Sequence, residues 1–250
     1  MTVEGQKVAQ MEQTWVYPVK GMQGVRTIEV GVKSVSVVGD RRIAFTEIDT
    51  KGTPTLLDTT KFPGLLRYAP RFENTQDPKN SRIIVTTPQG TEEYIDSPAL
   101  LEQVADESRR KLAVIRMGRA AYHSMPVSLM SLGSVRQTEE DAHTPVDPRV
   151  FRQNLYIKTL ADLPYEEDAW LGKMLVFGDE PDSAKLVAIK LDHRCATVNY
   201  HPETGVTNPK ILKAIVQNHN ETLGIYCTIV GEGKIRADAP VYLSSLSITP

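Results

Sequence analysis

The chain has 250 residues, 40% of them hydrophobic and 24% charged, which suits a globular protein with one large core or two modest ones. Twenty-nine Lys plus Arg against 31 Asp plus Glu leave a formal net charge of -2, which argues against a nucleic-acid-binding protein. No run approaches the roughly 20 apolar residues of a membrane helix, and the polar start Met1–Gln10 lacks a signal-peptide core, so a cytoplasmic protein is expected.

In chain order, the first ninety or so residues read as short strands. Trp15–Val19 is β-rich, and Val30, Val32, Val35 and Val37 alternate loosely with polar residues. Gly39-Asp40 makes a turn before Arg41–Thr46. Residues 50–80, rich in Pro, Gly, Thr, Asn and Asp, read as a long irregular connection. Ser81–Thr86 and Glu92–Ile95 flank Thr87–Gly90 as a hairpin. A helix starts at Ser97-Pro98, with Leu100, Leu101 and Val104 as its apolar stripe. Basic residues Arg109, Arg110, Lys111, Arg116 and Arg119 then mark a change in composition, which predicts domains at 1–115 and 116–250.

In the second segment, a strand at Pro126–Met130 leads to a shorter helix near Ser131–Ser134. A further helix begins at Asn208-Pro209, with Ile211, Leu212, Ile215 and Val216 on one face. Strands are expected at 153–158, 173–177, 184–191, 223–231 and 240–243. Many short strands, few helices and no βαβ alternation predict a mainly β fold with some α (α+β), a barrel or sandwich decorated with helices.

The densest set of reactive side chains is Asp192-His193-Arg194-Cys195 with Thr197, followed by Asn199–Gly205. Cationic neighbours favour the thiolate of a cysteine, the form that attacks or binds metal. The same local sequence fits a buried small hydrophobe. Cys227, inside an apolar run, reads as core. Two cysteines are too few for a disulfide framework or a cysteine-held iron–sulfur cluster, so cluster chemistry is expected on another chain. The histidines His123, His143, His193, His201 and His219 show no zinc spacing, leaving Cys195, His193 and His201 as the one conceivable set. No protease-like signature surrounds Cys195. Lys20, beside Gly21, reads either as a phosphate-holding loop or as a solvated turn. Arg152-Gln-Asn154 is unremarkable by itself, and Glu166-Glu-Asp168 reads as a structural acidic turn.

Taken in order, these pieces resemble a known family. The order is Tyr17-Pro-Val-Lys-Gly21, Gly39-Asp-Arg-Arg42, Pro126-Val-Ser-Leu-Met-Ser131, Phe151-Arg-Gln-Asn154, Glu167-Asp-Ala-Trp170, His193-Arg-Cys195 with Pro202-Glu-Thr-Gly205, and Gly224-Ile-Tyr226 before Gly233-Lys-Ile-Arg236. From about Thr14 to Leu243 the chain resembles MOSC proteins, named after the C-terminal domain of molybdenum cofactor sulfurase. It is most similar to the branch that joins an N-terminal β-barrel domain to a MOSC β-barrel, typified by the mitochondrial amidoxime-reducing component.

The resemblance implies a molybdenum cofactor (molybdenum on a pyranopterin), with Cys195 as its thiolate ligand and catalytic residue. It implies Lys20, Arg41 and Arg152 as cations for the pterin phosphate, with Gly21, Asn154 and Tyr226 as polar partners. Asp192, His193 and Arg194 would shape the metal-bearing loop, and Ser131–Ser134 would offer N–H groups to the cofactor. Pyridoxal phosphate is not expected. The implied activity is reduction of small N-hydroxylated compounds (amidoximes, hydroxylamines) to amines and amidines. Its electrons would come from a separate flavoprotein, ferredoxin or cytochrome b5-like haem protein, without nucleic acid or membrane. The alternatives are a cofactor-binding or sulfur-carrier module without turnover, and a structural module whose cysteine is merely buried. The sequence departs from the family at Gly21 (often a small hydroxyl residue), Ile43 (usually aromatic), Ala237–Pro240 (usually a Gly-Asp turn) and the degenerate Thr59-Thr-Lys61 loop. The ferredoxin-like module and the membrane anchor of some relatives are not expected here.

Overall fold

The computed structural model describes residues 5–48, 55–118, 120–122 and 124–247; residues 1–4, 49–54 and 248–250, with Arg119 and His123, lie outside the described residues. The first segment holds β1 (Gly5–Val16), β2 (Val25–Thr27), β3 (Glu29–Lys33), β4 (Ser36–Val37), β5 (Ile43–Glu47), β6 (Thr55–Leu56), β7 (Ala69–Phe72), β8 (Ile83–Thr86), β9 (Glu92–Tyr94), α1 (Pro98–Ser108) and β10 (Leu112–Arg116). The second holds β11 (Val127–Ser131), α2 (Leu132–Ala142), β12 (Leu155–Thr159), β13 (Lys173–Phe177), β14 (Lys185–His193), α3 (Lys210–His219), β15 (Thr222–Gly231), β16 (Gly233–Arg236) and β17 (Pro240–Ser247).

Seven of these strands close into a barrel in the order β12-β11-β15-β14-β13-β17-β1, with β1 pairing back onto β12 and β2 attached to β1. Closure removes the open edges that a sheet otherwise exposes. Alternate residues point inward, so Met11, Val127, Leu129, Leu155, Ile157, Leu175, Leu186, Ala188, Ile225 and Val241 belong to one buried cluster. Strand β1, from the segment before residue 116, is thus part of the barrel built by the segment after it. A second tie is the antiparallel pairing of β16 with β3. The remaining strands form the small sheets β10-β5-β6, β16-β3-β4 and β7-β8-β9.

The α+β class is as expected, and the helix starts obey their sequence signals. Ser97 accepts from the Leu100 N–H with Pro98 in the first turn, and Leu100 and Val104 are buried. Ser131 caps α2 in the same way, accepting from the Ser134 N–H at 3.1 Å. In α3, Ile211 and Ile215 face the core but Val216 is 47% exposed, off the expected face.

Other expectations are corrected. The valine run at 30–37 is two strands joined by a turn, which leaves Val35 exposed. The connection at 50–80 contains a 3-10 turn at Pro63–Arg67 and the strand β7, paired with β8 despite Pro70. One βαβ unit does occur: β11 and β12 run parallel, with α2 between them. Strands β10 and β16 had no sequence signal strong enough to be read. Among the described residues, no helix is long and apolar enough to cross a membrane.

Candidate functional site

Four loops converge at one place: the turn after Val19, the turn before β5, the turn before β12 and the loop leaving β14. Between them lies a solvent-open cleft. Lys20, Gly21, Arg41, Arg152, Asn154, Asp192, His193, Arg194, Cys195 and Tyr226 all line it. The barrel therefore gathers, from five separated stretches of sequence, every residue named from the resemblance except those of Ser131–Ser134.

Tyr17 is the centre of the cationic side. It is fully buried, its hydroxyl donates to Gln153 O at 3.2 Å, and its backbone N–H donates to Asp40 Oδ1 at 2.8 Å. The guanidinium carbons of Arg41 and Arg152 lie 4.8 and 4.5 Å from its ring centroid, a double cation–π arrangement. Burial pushes the Tyr17 hydroxyl up to about 12, with both arginines pulling the other way. Arg41 and Arg152 each adopt left-handed backbone, at φ 43° and 55°. Such conformations are strained for residues other than glycine and cluster at functional sites.

The two arginines differ in their partners. Arg41 pairs with the buried Asp40 and also donates to Arg152 O at 3.2 Å. Burial works against its charge, but Asp40 outweighs this and the pKa of Arg41 is raised. Arg152 has no carboxylate partner among the described residues; burial lowers its pKa to about 10, Tyr17 opposing and Arg41 adding to the fall. Lys20 is similar, donating only to Ala121 O at 2.9 Å, with its pKa lowered by burial and then by Arg41. Two cations that face a cleft with no ion-pair partner among the described residues could take an anion from outside, although the Asp58 carboxylate also lines the cleft and acts on Lys20. Gly21 has φ +85°, and a Cβ there would sit 2.7 Å from Leu65 Cδ1, so a hydroxyl-bearing residue would not fit unstrained.

Asn154 is expected to meet the cofactor, but its side chain is spent on the protein. Its Nδ2 donates to Trp15 O and Asp40 Oδ1, both at 3.2 Å, while Oδ1 accepts from Ser128 N and Oγ at 3.3 Å. It locks β1, β11, β12 and the Asp40 turn together.

On the other side, Asp192 and Arg194 form a buried ion pair at 2.9 Å. Gln153 Nε2 donates to the same Asp192 oxygen at 3.0 Å. Arg194 also donates to Leu223 O and Phe151 O, so its guanidinium is consumed in holding the loop. His193 and Cys195 are exposed to the cleft. The alternative of a buried, inert Cys195 is therefore set aside. Tyr226, opposite Ser128 in the β11–β15 pairing, has its hydroxyl held well above its usual range by burial and by the Asp192 charge. Cys227 is the core residue expected: free, fully buried, and raised to about 12 by burial alone.

The Ser131–Ser134 segment does not reach the cleft. Its Ser131 N–H and Ser134 hydroxyl donate to Glu167 Oε1 at 3.0 and 2.9 Å, and all three residues are buried. Glu167 is thus the counter-charge at the start of α2, which explains the acidic turn. The adjacent Asp168 pairs with His219 at 3.0 Å. No group of three or more His, Cys, Asp or Glu among the described residues is placed to hold a metal. His201 instead accepts two loop N–H groups through Nδ1.

Tyr17, Asp40, Ser128 and Gln153 were not singled out from sequence, although each lies inside a stretch that was. Thr197 was read only as part of the cysteine cluster and Thr59 only as part of a degenerate loop; hydroxyl and amide residues carry no signal until the fold shows what they touch.

The class is that of a closed, helix-decorated barrel with an exposed thiol and, among the described residues, two cations lacking an ion-pair partner in one cleft. The family model for the MOSC domain matches residues 116–242, just over half of the sequence, and the chain belongs to the MOSC domain family. MOSC domains are associated with binding and sulfuration of the molybdenum cofactor. Among solved structures, the YuaD protein from Bacillus subtilis is similar in fold over 94% of this chain and 95% of its own, at 14% identity and a TM-score of 0.50. YiiM from Geobacillus stearothermophilus is 22% identical over 48% of this chain and 55% of its own, with a TM-score of 0.37. YiiM from Escherichia coli is 21% identical over 50% and 57%, with a TM-score of 0.33. No curated protein matches.

Proposed function

We propose that this protein is a molybdenum-cofactor-dependent reductase of N-hydroxylated compounds, supplied with electrons by a separate redox protein. The observation that carries the reading is the donor set of the cleft among the described residues: one exposed thiol, two cations without an ion-pair partner, and no group of three or more His, Cys, Asp or Glu placed to hold a bare metal. A metal that arrives on its own anionic organic scaffold fits that set, because the protein then needs one soft ligand plus a phosphate-binding side. Bound there, the cofactor supplies a two-electron centre able to take oxygen from an N–O bond.

The chain's own residues supply placement. Cys195 is the metal ligand, and Lys20 and Arg152 take the phosphate, with Arg41 reinforcing their field. The Asp192–Arg194 pair holds the thiol-bearing loop. The net reaction consumes two electrons and two protons and releases the amine or amidine with water. One cysteine is in the cleft and the other is buried, so the electrons come from a partner: a flavoprotein, ferredoxin or small haem protein. Exposure of Cys195 also suits the competing reading, a sulfur or cofactor carrier without turnover.

The test is molybdenum analysis of protein from a cofactor-competent host, with Cys195→Ala alongside, followed by benzamidoxime reduction with an artificial donor. Near-stoichiometric molybdenum, lost in the variant, together with turnover supports the reductase. Metal without turnover favours the carrier, and absence of both metal and pterin overturns both.

A further inference from the structure

Among the charges that line the cleft, Asp58 has a place of its own. The other carboxylate there, Asp192, is taken by Arg194 and Gln153. Asp58 is half-buried and has no ion-pair partner among the described residues, since Lys20, which also lines the cleft, donates to Ala121 O. One of its oxygens is fixed by its own loop. Oδ1 accepts from the Thr60 N–H at 3.0 Å, the Thr60 hydroxyl at 2.5 Å and the Lys61 N–H at 3.2 Å. Oδ2 accepts from none of these groups. Burial pushes the carboxyl up, but those bonds and the Lys20 charge outweigh it and hold it below 3.8, so Asp58 is ionised at neutral pH. Its loop is seated against the cysteine loop, because the Thr59 hydroxyl lies 2.9 Å from that of Thr197. Tyr122, Met125, Val150, Phe151 and Val198 give the same cleft an apolar lining.

We propose that Asp58 is the specificity-determining residue of the cleft and selects small molecules with an apolar body and a cationic or N–H-rich head, an aryl amidine being the simplest. The inference rests on the reductase reading for the substrate side of this class, the aryl amidoximes. An amidinium offers N–H donors in one plane, which a carboxylate accepts as charge-assisted bonds. An amidoxime is neutral, but its amino and hydroxyl groups are donors to the same oxygen. Oδ2 thus accepts from ligands on both sides of the reaction, while the apolar lining takes the body of the molecule. Little order has to be imposed on binding, because Oδ1 is already held by the loop. N-oxides bring no N–H or O–H donor and anions are repelled, so this carboxylate disfavours both.

The experiment titrates the full-length chain from a cofactor-competent host, by calorimetry, with benzamidine and with benzamide, a neutral molecule of nearly the same shape. Asp58→Asn removes the charge and keeps an oxygen for the loop N–H groups. Benzamidine is expected to bind the variant about tenfold more weakly than wild type, and benzamide to bind both alike within about twofold. In benzamidoxime turnover the variant is expected to raise KM about threefold, with kcat within about twofold. Equal benzamidine affinity in wild type and variant overturns the proposal. So does a wild type that binds no benzamidine, or an equal loss for benzamide, which marks a disturbed cleft in place of a missing charge. A wild-type chain that binds benzamidine through Asp58 but does not reduce benzamidoxime breaks the reductase reading and leaves the proposal standing. Turnover with benzamidine affinity unchanged in Asp58→Asn does the reverse.

Discussion

Arg194 and Arg152 line the same cleft, yet the loops that carry them treat the guanidinium differently. Arg194 is satisfied on every side, by Asp192 and by the carbonyls of Leu223 and Phe151. Arg152 is held over Tyr17 with no ion-pair partner among the described residues, and its pKa falls to about 10 through burial, Tyr17 and Asp40 opposing. A buried cation with partners holds structure. One without an ion-pair partner contributes less to the fold and is poised for an anion from outside. The comparison separates scaffold from binding side within a single ring of basic residues.

The largest expected effect is at the scaffold side. Arg194→Ala leaves Asp192 charged and without its ion-pair partner, with only Gln153 donating to it, which should cost about 3–5 kcal/mol of unfolding free energy in urea titrations. A loss under about 1 kcal/mol would break the comparison. Gly21→Ala should come next, at about 1–2 kcal/mol, because left-handed backbone and the Leu65 contact both oppose a Cβ. Arg152→Met sharpens the contrast. Its urea midpoint should stay level or rise, while binding of a phosphate monoester by calorimetry weakens about tenfold, or about 1.4 kcal/mol.

The smallest effect lies away from the cleft, at Asp168. Burial first, and Glu167 second, raise its carboxyl from 3.8 to about 6, with His219 opposing. Between those two values the folded chain binds more protons than the unfolded one, so this group's contribution to stability falls as pH rises from 3.8 through 6. Asp168→Asn should remove that slope, a change below about 1 kcal/mol once solvent screening is allowed for. Urea midpoints across the same pH window, compared with wild type, measure it.

How far the sequence could be read depends on the range of the forces involved. Helix starts were legible because a cap acts within three residues, as at Ser97 and Ser131. Strands β13, β14 and β15 were legible from their apolar runs. Most of β1 was not, since Gly5–Gln13 is polar, and its backbone is held instead by β12 and β17, more than a hundred residues away. The site shows the same division. A motif names residues that travel together, and these do line one cleft, but it does not say which are already occupied. Asn154 and Arg194 are spent on the protein, Arg152 and Lys20 are not, and Ser131–Ser134 is turned to Glu167.

By itself, the sequence determined the α+β class, the helix starts, the pairing of cationic motifs with a cysteine loop, and the family these imply. Only the tertiary structure decided that β1 closes the barrel, that Thr59 reaches the loop of Cys195, and which cations lack a partner. Closure, burial and charge pairing each depend on residues far apart in the chain, so no local pattern records them.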